Sequence, residues 1–356
     1  LLPGFIDLHS HMNLDKDIHR KTLWSFMVNL AYGVTTARDP QSMDINIFTY
    51  ADRVAIGDMI GPRVFTTGPG IFNNSPVNNL EDAKRIVQKY SDYYRVNTVK
   101  QYLSGNRRHR QLLNMAIQDA QLIPTTEGMD MKLMVTQIMD GYSLEHTLPH
   151  YPLYKDMIEL IVQSGTYYDP TVIVGTGPRA EYYYWTRTDV HGNKKLNHFF
   201  PHDILDLQTR RVPWFHESEF SYKEYAKTFK NIVNAGGKIG VGSHGEMQGI
   251  CYHWELWNIQ SGGMSEMDAL RCATIIGSEA IGFSNDLGSI EEGKLADLIL
   301  LTKNPLDDIK NTNSIKYVMK NGILYNADSL DEVWPTIKKL PPQYWHGKTP
   351  KHHDKY

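Results

Sequence analysis

The stretch Pro3-Gly4-Phe5-Ile6-Asp7-Leu8-His9-Ser10-His11 opens the chain with an apolar run that ends in two histidines. Successive side chains of a β-strand point to opposite faces, so we expect His9 and His11 on one face, about 6–7 Å apart along the backbone. Two imidazoles at a strand end can bind one cation at metal–nitrogen distances of about 2.0–2.1 Å. A His-x-His pair alone is weak evidence, but the preceding Pro-Gly-Phe-Ile-Asp makes this one specific enough to predict two metal ligands.

Seven further short runs rich in β-branched residues follow, and longer helical stretches separate them. With the first run they number eight, at 4–9, 34–38, 63–67, 98–102, 122–127, 142–146, 166–169 and 238–243. Strands that alternate with helices are typical of a parallel sheet. We therefore predict an α/β fold, a (β/α)8 TIM-type barrel over residues 1–285, with its chemistry at the C-terminal ends of the strands.

A small, partly missing β-domain is predicted after the barrel, over residues 286–328, and an extended tail over 329–356. The β-domain includes a hairpin of the runs 315–319 and 323–325 around the turn Lys320-Asn321-Gly322. Because the chain starts without an initiator Met, we expect it to be a fragment of a longer protein.

Two further segments have patterns that predict local structure. A last barrel helix is predicted over 266–282, with Ser265 as its N-cap and Asp268 completing the pattern of a capping box. The segment from Gly175 to about Phe220 is long for a connection within a barrel. Its aromatic residues leave two interpretations open, a lid that contacts substrate or an insertion that packs against a neighbouring domain or subunit: Tyr182, Tyr183, Tyr184, Trp185, Phe199, Phe200, Trp214 and Phe215.

Several predicted strands end in ionisable residues, which are His9, Arg38, Lys100, Glu127, His146 and His244. Glu127 is a candidate oxygen ligand, acceptable to zinc and better for manganese, with a salt-bridging acid as the alternative. His244 can bind metal or transfer a proton near neutral pH. Glu246 either assists it or is a solvated loop carboxylate. Other histidines default to surface or loop roles, although those in the long segment could touch substrate: His109, His150, His191, His198, His202 and His216.

These motifs resemble the amidohydrolase superfamily over residues 1–328. Gly33-Val34-Thr35-Thr36-Ala37-Arg38-Asp39 resembles the family's second strand, and the stretch 288–301 its C-terminal signature. Finer detail is similar to the branch fused to TolB-type β-propellers, related to prolidase-like and imidazolonepropionase-like enzymes. That closer match is carried by Val99-Lys100-Gln101-Tyr102, Thr125-Thr126-Glu127-Gly128, Gly242-Ser243-His244-Gly245 and His253-Trp254-Glu255. The resemblance implies an N-terminal propeller in the longer protein.

The resemblance also implies a ligand set. His9 and His11 bind one metal ion, Lys100 is carboxylated to a carbamate that bridges two ions, and Glu127 and His146 bind the second. The alternative for Lys100 is an ordinary ion pair, for example with Glu127, since a plain ammonium has no lone pair for a metal. The sequence departs from the family at two positions: Glu127 stands where a fifth-strand histidine is usual, and His244 stands where most members have an aspartate.

The predicted function is that of a peptidase-like, metal-dependent hydrolase. One or two divalent ions, zinc first and manganese or iron as alternatives, would activate water to cleave an amide-like C–N bond of a dipeptide, acyl-amino acid or cyclic amide. His244 and Glu246 are the predicted proton-transfer residues, and Tyr102 and Arg107 the predicted substrate contacts. Two alternatives remain: a catalytically weak or non-catalytic binding module of a propeller protein, and a metal-dependent deaminase or lactonase.

Composition limits the partners. With 37 basic and 40 acidic residues and a net charge of −3, the chain lacks the basic field that nucleic acid or anionic lipid requires. No apolar run reaches the roughly 18 residues that span a bilayer. Two cysteines, Cys251 and Cys272, are too few for a disulfide framework. We expect a small-molecule substrate and leave a homo-oligomer open; the family resemblance favours a periplasmic or secreted location over a cytoplasmic one.

Overall fold

The computed structural model describes residues 1–12, 14, 19–72, 76–128, 130–147, 150–175, 177–210 and 212–347. Its β-strands are Leu2–Pro3 (β1), Phe5–Asp7 (β2), Val34–Asp39 (β3), Arg63–Thr66 (β4), Thr98–Gln101 (β5), Ile123–Glu127 (β6), Ser143–Glu145 (β7), Tyr167–Asp169 (β8), Lys238–Ile239 (β9), Leu298–Leu301 (β10), Ile315–Lys320 (β11), Ile323–Asn326 (β12) and Glu332–Trp334 (β13).

Its α-helices are Trp24–Ala31 (α1), Asn46–Ala55 (α2), Leu80–Gln88 (α3), Arg107–Asp119 (α4), Met131–Met139 (α5), Lys155–Gln163 (α6), Ala180–Trp185 (α7), Lys194–Phe199 (α8), His202–Thr209 (α9), Tyr222–Asn234 (α10), Ile250–Gln260 (α11), Glu266–Cys272 (α12) and Ile275–Ala280 (α13). A π-helix spans Lys89–Tyr94, and 3₁₀ turns span Val172–Val174, Glu217–Glu219 and Ile309–Asn313. None of the helices in the described ranges combines the length and the apolar content needed to cross a bilayer.

Eight parallel strands alternate with helices and form two sheets, β2-β3-β4 and β5-β6-β7-β8-β9. Each of the eight predicted strands overlaps one of them. Backbone contacts join the two sheets at both of their edges. Leu8 N donates to Val241 O at 2.8 Å, and an isolated parallel bridge joins Ile71 to Gln101. The fold is therefore α/β and barrel-like, and the carboxyl ends of its parallel strands lie together.

A third sheet is antiparallel and has the order β1-β10-β11-β12-β13. The predicted hairpin is confirmed: β11 pairs with β12 around a turn in which Asn321 and Gly322 have φ of 49° and 76°, as two-residue hairpin turns require. Strand β13 comes from the segment that the sequence assigned to the tail, and further along that segment Trp345 is buried and donates from Nε1 to His198 O at 3.0 Å. The division into domains stays a prediction.

The single helix predicted over 266–282 is wrong, because the structure has two helices there, α12 and α13. Ser265 does cap the first, since Asp268 N donates to Ser265 Oγ at 3.1 Å. The helix stops because the carbonyl of Ala273 accepts hydrogen bonds from Ile6 N and Tyr252 Oη, both at 3.0 Å. The carbonyl of Ala273 is therefore bonded to strand β2 and to Tyr252, and it does not continue the hydrogen-bond pattern of the helix.

The long segment 175–220 contains α7, α8 and α9 and packs mainly against the chain's own core. Tyr184 stacks on Trp254 with ring centroids 5.3 Å apart, and Phe200 lies 4.6 Å from Trp24. Trp214, by contrast, is 69% exposed. Of the two interpretations, packing accounts for most of the aromatic residues, although the partner is this chain rather than a neighbour.

Candidate metal centre

Four histidine side chains meet where the parallel strands end. His9 and His11 follow β2, His146 follows β7, and His244 follows β9. The ring centroid of His9 lies 4.9 Å from that of His11, 4.7 Å from that of His146 and 5.0 Å from that of His244. One ligand nitrogen from each of His9, His146 and His244 lies within 4.8 Å of the others. Three separate strands thus bring imidazoles to one point.

The backbone takes a costly conformation to achieve this. His146 has a φ of 69° and His244 a φ of 60°, the left-handed region that costs a non-glycine residue about 1–3 kcal/mol. Strict alternation along β7 would send Glu145 and His146 to opposite faces. The left-handed turn at His146 lets both side chains reach the same mouth.

Lys100 adjoins the histidines and has no exposed surface. Its Nζ lies 2.6 Å from Glu145 Oε2 and 3.4 Å from Glu127 Oε2. Burial disfavours both charges, but their mutual attraction outweighs it: the pKa of Lys100 is raised, and the pKa of Glu145 is lowered to about 2. Uncarboxylated, Lys100 is therefore an ammonium that pairs mainly with Glu145, and its carboxylation stays a prediction.

Two buried acidic side chains that the sequence analysis did not single out, Glu145 and Asp169, lie beside His9. Arg38 Nη2 donates to Glu145 Oε1 at 2.8 Å, and Glu145 Oε2 lies 3.5 Å from His9 Nδ1. Asp169 Oδ2 lies 3.6 Å from the same nitrogen. A Cβ on Gly242 would come within 2.4 Å of an Asp169 oxygen, so only glycine leaves room for this carboxylate. Burial raises the pKa of Asp169 well above its usual value.

The donor set fits a metal ion. His9 Nδ1 is buried and has no hydrogen-bond partner among the described residues. His9 Nε2 and His11 Nε2 lie 3.2 Å apart, close to the roughly 3.3 Å between two nitrogens that bind one tetrahedral ion at about 2.0–2.1 Å. Glu127 Oε2 lies 3.3 Å from His146 Nε2, which places a carboxylate at the same mouth.

Residues behind His146 fix the orientation of its ring. Its Nδ1 lies 2.7 Å from Thr171 Oγ1. Thr171 has a φ of 40° and precedes the 3₁₀ turn whose first two amides, Val172 N and Ile173 N, donate to the Glu255 carboxylate at 2.7 and 2.8 Å. Partners of this kind fix the orientation of a metal-binding imidazole. The sequence pattern gave no signal for Thr171 or for the role of Glu255.

The long segment reaches the site at His244. Glu246 Oε1 lies 2.8 Å from His244 Nδ1 and 2.8 Å from Arg179 Nη2. Arg179 Nε lies 3.2 Å from Glu181 Oε1, and burial, with repulsion from Glu246, raises the pKa of Glu181 to about 7. Burial alone would raise the pKa of Glu246, but His244 and Arg179 lower it. Glu246 is therefore held at the site rather than solvated in a loop.

A family model, that of the amidohydrolase family, matches residues 1–324. The chain belongs to the amidohydrolase family. The resemblance to the amidohydrolase superfamily is thereby confirmed, and the protein is a hydrolase; the closer resemblance to the propeller-fused branch stays a prediction.

Individual relatives are more distant. The ochratoxinase of Aspergillus niger is 28% identical over 110 residues, which are 30% of this chain and only 23% of that enzyme's length. A solved Xaa-Pro dipeptidase with bound methionine is 22% identical with a TM-score of 0.67, covering 91% of this chain and 86% of that one. The solved ochratoxinase of A. niger is 18% identical with a TM-score of 0.66, covering 91% and 83%. At these identities the structural likeness shows the shared fold.

The two predicted substrate contacts of this amidohydrolase differ in placement. The ring of Tyr102 lies 4.4 Å from Lys100 Nζ and stacks on Phe72, so Tyr102 borders the site. Arg107 begins α4, pairs with Asp140 at 2.8 Å and has a side chain that is 44% exposed. Within the described ranges no contact joins Arg107 to the four histidines. Its role as a substrate contact stays a prediction that its placement does not support.

Proposed function

We propose that this amidohydrolase is a metal-dependent hydrolase that cleaves an amide-type C–N bond in a small substrate. The observation that carries the proposal is the convergence of His9, His11, His146 and His244 from three strand ends. We also propose that the two parallel sheets form one eight-stranded barrel. The contacts between Leu8 and Val241 and between Ile71 and Gln101 support this.

His9, His11 and His146, the set that the family resemblance implies, would hold the ion, with Glu127 beside them as an oxygen donor. His244 is a further candidate ligand, because one of its nitrogens lies within 4.8 Å of those of His9 and His146. Imidazole and carboxylate donors suit zinc, and the carboxylate would also suit manganese or iron. A bound divalent cation would acidify water and polarise a carbonyl oxygen. A carbamate at Lys100, and with it a second ion, is the part of this proposal that rests on the family resemblance, because the ammonium form of Lys100 pairs with Glu145 and Glu127.

His244 would move the proton. Its Nδ1 faces the Glu246 carboxylate at 2.8 Å, which favours a proton on Nδ1 and leaves Nε2 as the acceptor. At Nε2 the ring could take a proton from the attacking water and return it to the leaving nitrogen. Arg179, paired with Glu246 on its other side, would keep that carboxylate ionised and in place.

Dipeptides, acyl-amino acids and cyclic amides are the proposed substrates, and the fold shared with an Xaa-Pro dipeptidase and an ochratoxinase supports this choice. Because His244 stands where most members of the family have an aspartate, a binding module with little turnover is the competing proposal. A deaminase or lactonase would use the same ligands on another bond.

The test combines metal analysis with a substrate panel. Purified protein, His9→Ala, His11→Ala and the control His216→Ala, an exposed histidine, are analysed for bound metal and assayed on dipeptides, acyl-amino acids, cyclic amides, lactones and amino-heterocycles. We expect both His9→Ala and His11→Ala to bind fewer metal ions than the wild type and to lose turnover, whereas His216→Ala keeps both. Equal turnover without bound metal would contradict the mechanism, and bound metal without turnover on any member of the panel would favour the binding module.

A further inference from the structure

A second set of ligand atoms lies in the segment 175–220, outside the site described above. His191 lies in the loop between α7 and α8, and His202 and Asp206 lie one turn apart on α9. One ligand atom from each of the three lies within 4.8 Å of the others. We propose that these three residues bind a divalent transition-metal ion, zinc by the chemistry of the donors, at a site that stabilises the segment.

The hydrogen bonds of His191 indicate which of its two ring nitrogens carries the proton and which has a free lone pair. Thr209 Oγ1 donates to Leu205 O at 2.8 Å, so its lone pairs are left to accept from His191 Nε2, which lies 3.0 Å away. With the proton on Nε2, the lone pair of His191 is on Nδ1, which lies 3.9 Å from Asp206 Oδ1. Two electron-rich atoms that face each other repel, and a cation between them removes the repulsion. Thr209 thus acts as the orienting partner that metal-binding histidines usually have.

His202 completes the set. Its Nδ1 is buried, lies 3.1 Å from Asp206 Oδ2, and makes no aligned hydrogen bond in the part of the chain that the structure describes. Ligand atoms on one tetrahedral ion are separated by roughly 3.3 Å, so the observed 3.1 Å needs little change. The His191 side chain is 48% exposed, which leaves it free to close its longer distance by a small rotation.

Donor type and access both favour zinc over calcium or magnesium. Two imidazoles and one carboxylate are a common set for zinc with water as the fourth ligand, whereas calcium and magnesium prefer oxygen donors throughout. A surface cavity of about 650 Å³, which Asp189 and Arg210 help to line, opens beside His191 and Asp206. An ion can therefore enter from solvent.

The consequence is structural. The ion would tie the loop around His191 to α9, and Gln208 on α9 donates from Nε2 to Glu246 O at 3.1 Å. Holding α9 in place would therefore support the loop that carries His244 and Glu246. Because its ligands belong to the segment and not to the strand ends, this site is independent of the proposed hydrolase function.

The experiment measures how many zinc ions bind per chain in a variant whose histidine cluster at the strand ends has been weakened. The parent carries His9→Ala and His146→Ala, and onto it His202→Ala or the isosteric Asp206→Asn is added, with His216→Ala as the control from the same segment. Each chelator-treated protein is checked for folding by circular dichroism, equilibrated with zinc, and analysed for bound metal and thermal midpoint.

We expect His202→Ala and Asp206→Asn each to bind one zinc fewer per chain than the parent, and to lose the rise in thermal midpoint that zinc produces. The His216→Ala control should match the parent in both measurements. If folded Asp206→Asn protein binds as many ions as the parent, the site does not exist. That result would leave the proposed hydrolase function untouched, because no hydrolysis is measured.

Discussion

The two histidine groups of this amidohydrolase differ in how firmly their ligands are held. His9 is fully buried and is flanked by Glu145 and Asp169. His191 and His202 are 48% and 33% exposed, and the orienting partner of His191 is a helix residue, Thr209. Catalytic groups must be held to within about 0.5 Å, whereas a stabilising ion can draw mobile ligands together. Burial alone does not separate the two groups, since His11 is 32% exposed and His202 33%. The difference lies in the carboxylates around the buried His9 and in the left-handed backbone at His146 and His244.

The largest effect should come from removing Glu145. Its carboxylate pairs with Lys100 at 2.6 Å and with Arg38 at 2.8 Å, so in metal-free protein with uncarboxylated Lys100 the substitution Glu145→Leu leaves two buried cations without their main partner. Breaking a buried pair costs about 3–5 kcal/mol. We expect a loss of that size in the free energy of unfolding, measured by denaturant titration.

The matched control lies in the long segment. Glu217 is also paired with a lysine, Lys223, at 3.4 Å, but its side chain is 56% exposed. Exposed pairs contribute about 0–1 kcal/mol, so Glu217→Leu should change stability by no more than that. If the two substitutions cost the same, burial does not distinguish the two regions.

The next largest effect should be on turnover. It concerns Glu246, which links His244 at the strand ends to Arg179 in the long segment. In Glu246→Gln the amide oxygen can still accept from His244 Nδ1, but the negative charge that the ring now faces at 2.8 Å is removed. Proton transfer by a positioned group contributes roughly 10²–10⁴-fold. We expect kcat to fall by about 10²-fold with little change in KM, measured on whichever substrate of the panel is cleaved. An unchanged kcat would rule out a role for Glu246 in catalysis.

Much of this arrangement could be predicted from the sequence. The eight strands and the side chains at their ends follow from short apolar runs that stop in ionisable residues, which is why His9, Lys100, Glu127, His146 and His244 were found and do lie together. Arg107 was placed there by sequence proximity to its strand, yet it begins a helix and pairs with Asp140.

The rest needed three dimensions. Alternation along β7 cannot predict that Glu145 and His146 both face the mouth, because this depends on the left-handed backbone at His146. From the sequence, Asp169 is only the last residue of a predicted strand, and no pattern indicates that it lies beside His9. The partnership of Glu255 with the amides after Thr171 joins residues more than 80 positions apart. Contacts of that kind leave no local pattern in the sequence.

A smaller effect should follow from loosening the layer behind His146. Glu255→Gln replaces one carboxylate oxygen by an amide donor, so one of the two amides, Val172 N or Ile173 N, loses its acceptor. Loss of such a partner typically lowers metal affinity about 10- to 100-fold. We expect that change in zinc affinity, measured by competition with a chelator.

Thr171→Val removes the hydrogen bond to His146 directly and should reproduce the effect. Substituting the exposed Glu224, on the neighbouring helix α10, by Gln should leave the affinity unchanged. Wild-type affinity in both Glu255→Gln and Thr171→Val would show that this layer serves packing alone.

The smallest effect concerns two lysines, Lys100, which is buried, and Lys195, which is 13% exposed. Lys100 lies 2.6 Å from Glu145, and its pKa is raised; Lys195, in the long segment, lies 3.8 Å from Asp328, and burial outweighs that weaker attraction and lowers its pKa to about 8. A lysine whose pKa is lower in the folded than in the unfolded protein opposes folding when charged. Above pH 10.5, the pKa in the unfolded protein, Lys195 is neutral in both states and does not affect stability. As the pH falls from 10.5 to about 8, the unfolded protein binds the proton first, so the free energy of unfolding decreases. Below about pH 8 the decrease stays constant.

Lys195→Met should accordingly increase the free energy of unfolding near pH 7, by on the order of 1 kcal/mol, because the lost contacts with Asp328 and Tyr32 offset part of the gain. The increase should shrink as the pH rises from about 8 towards 10.5, since the wild-type lysine then becomes neutral as well. Denaturant titrations at several pH values in that interval measure it, with the exposed Lys223→Met as the control that should show no such trend. A gain that does not depend on pH would mean that methionine packs better there, and that the charge of Lys195 costs the fold nothing.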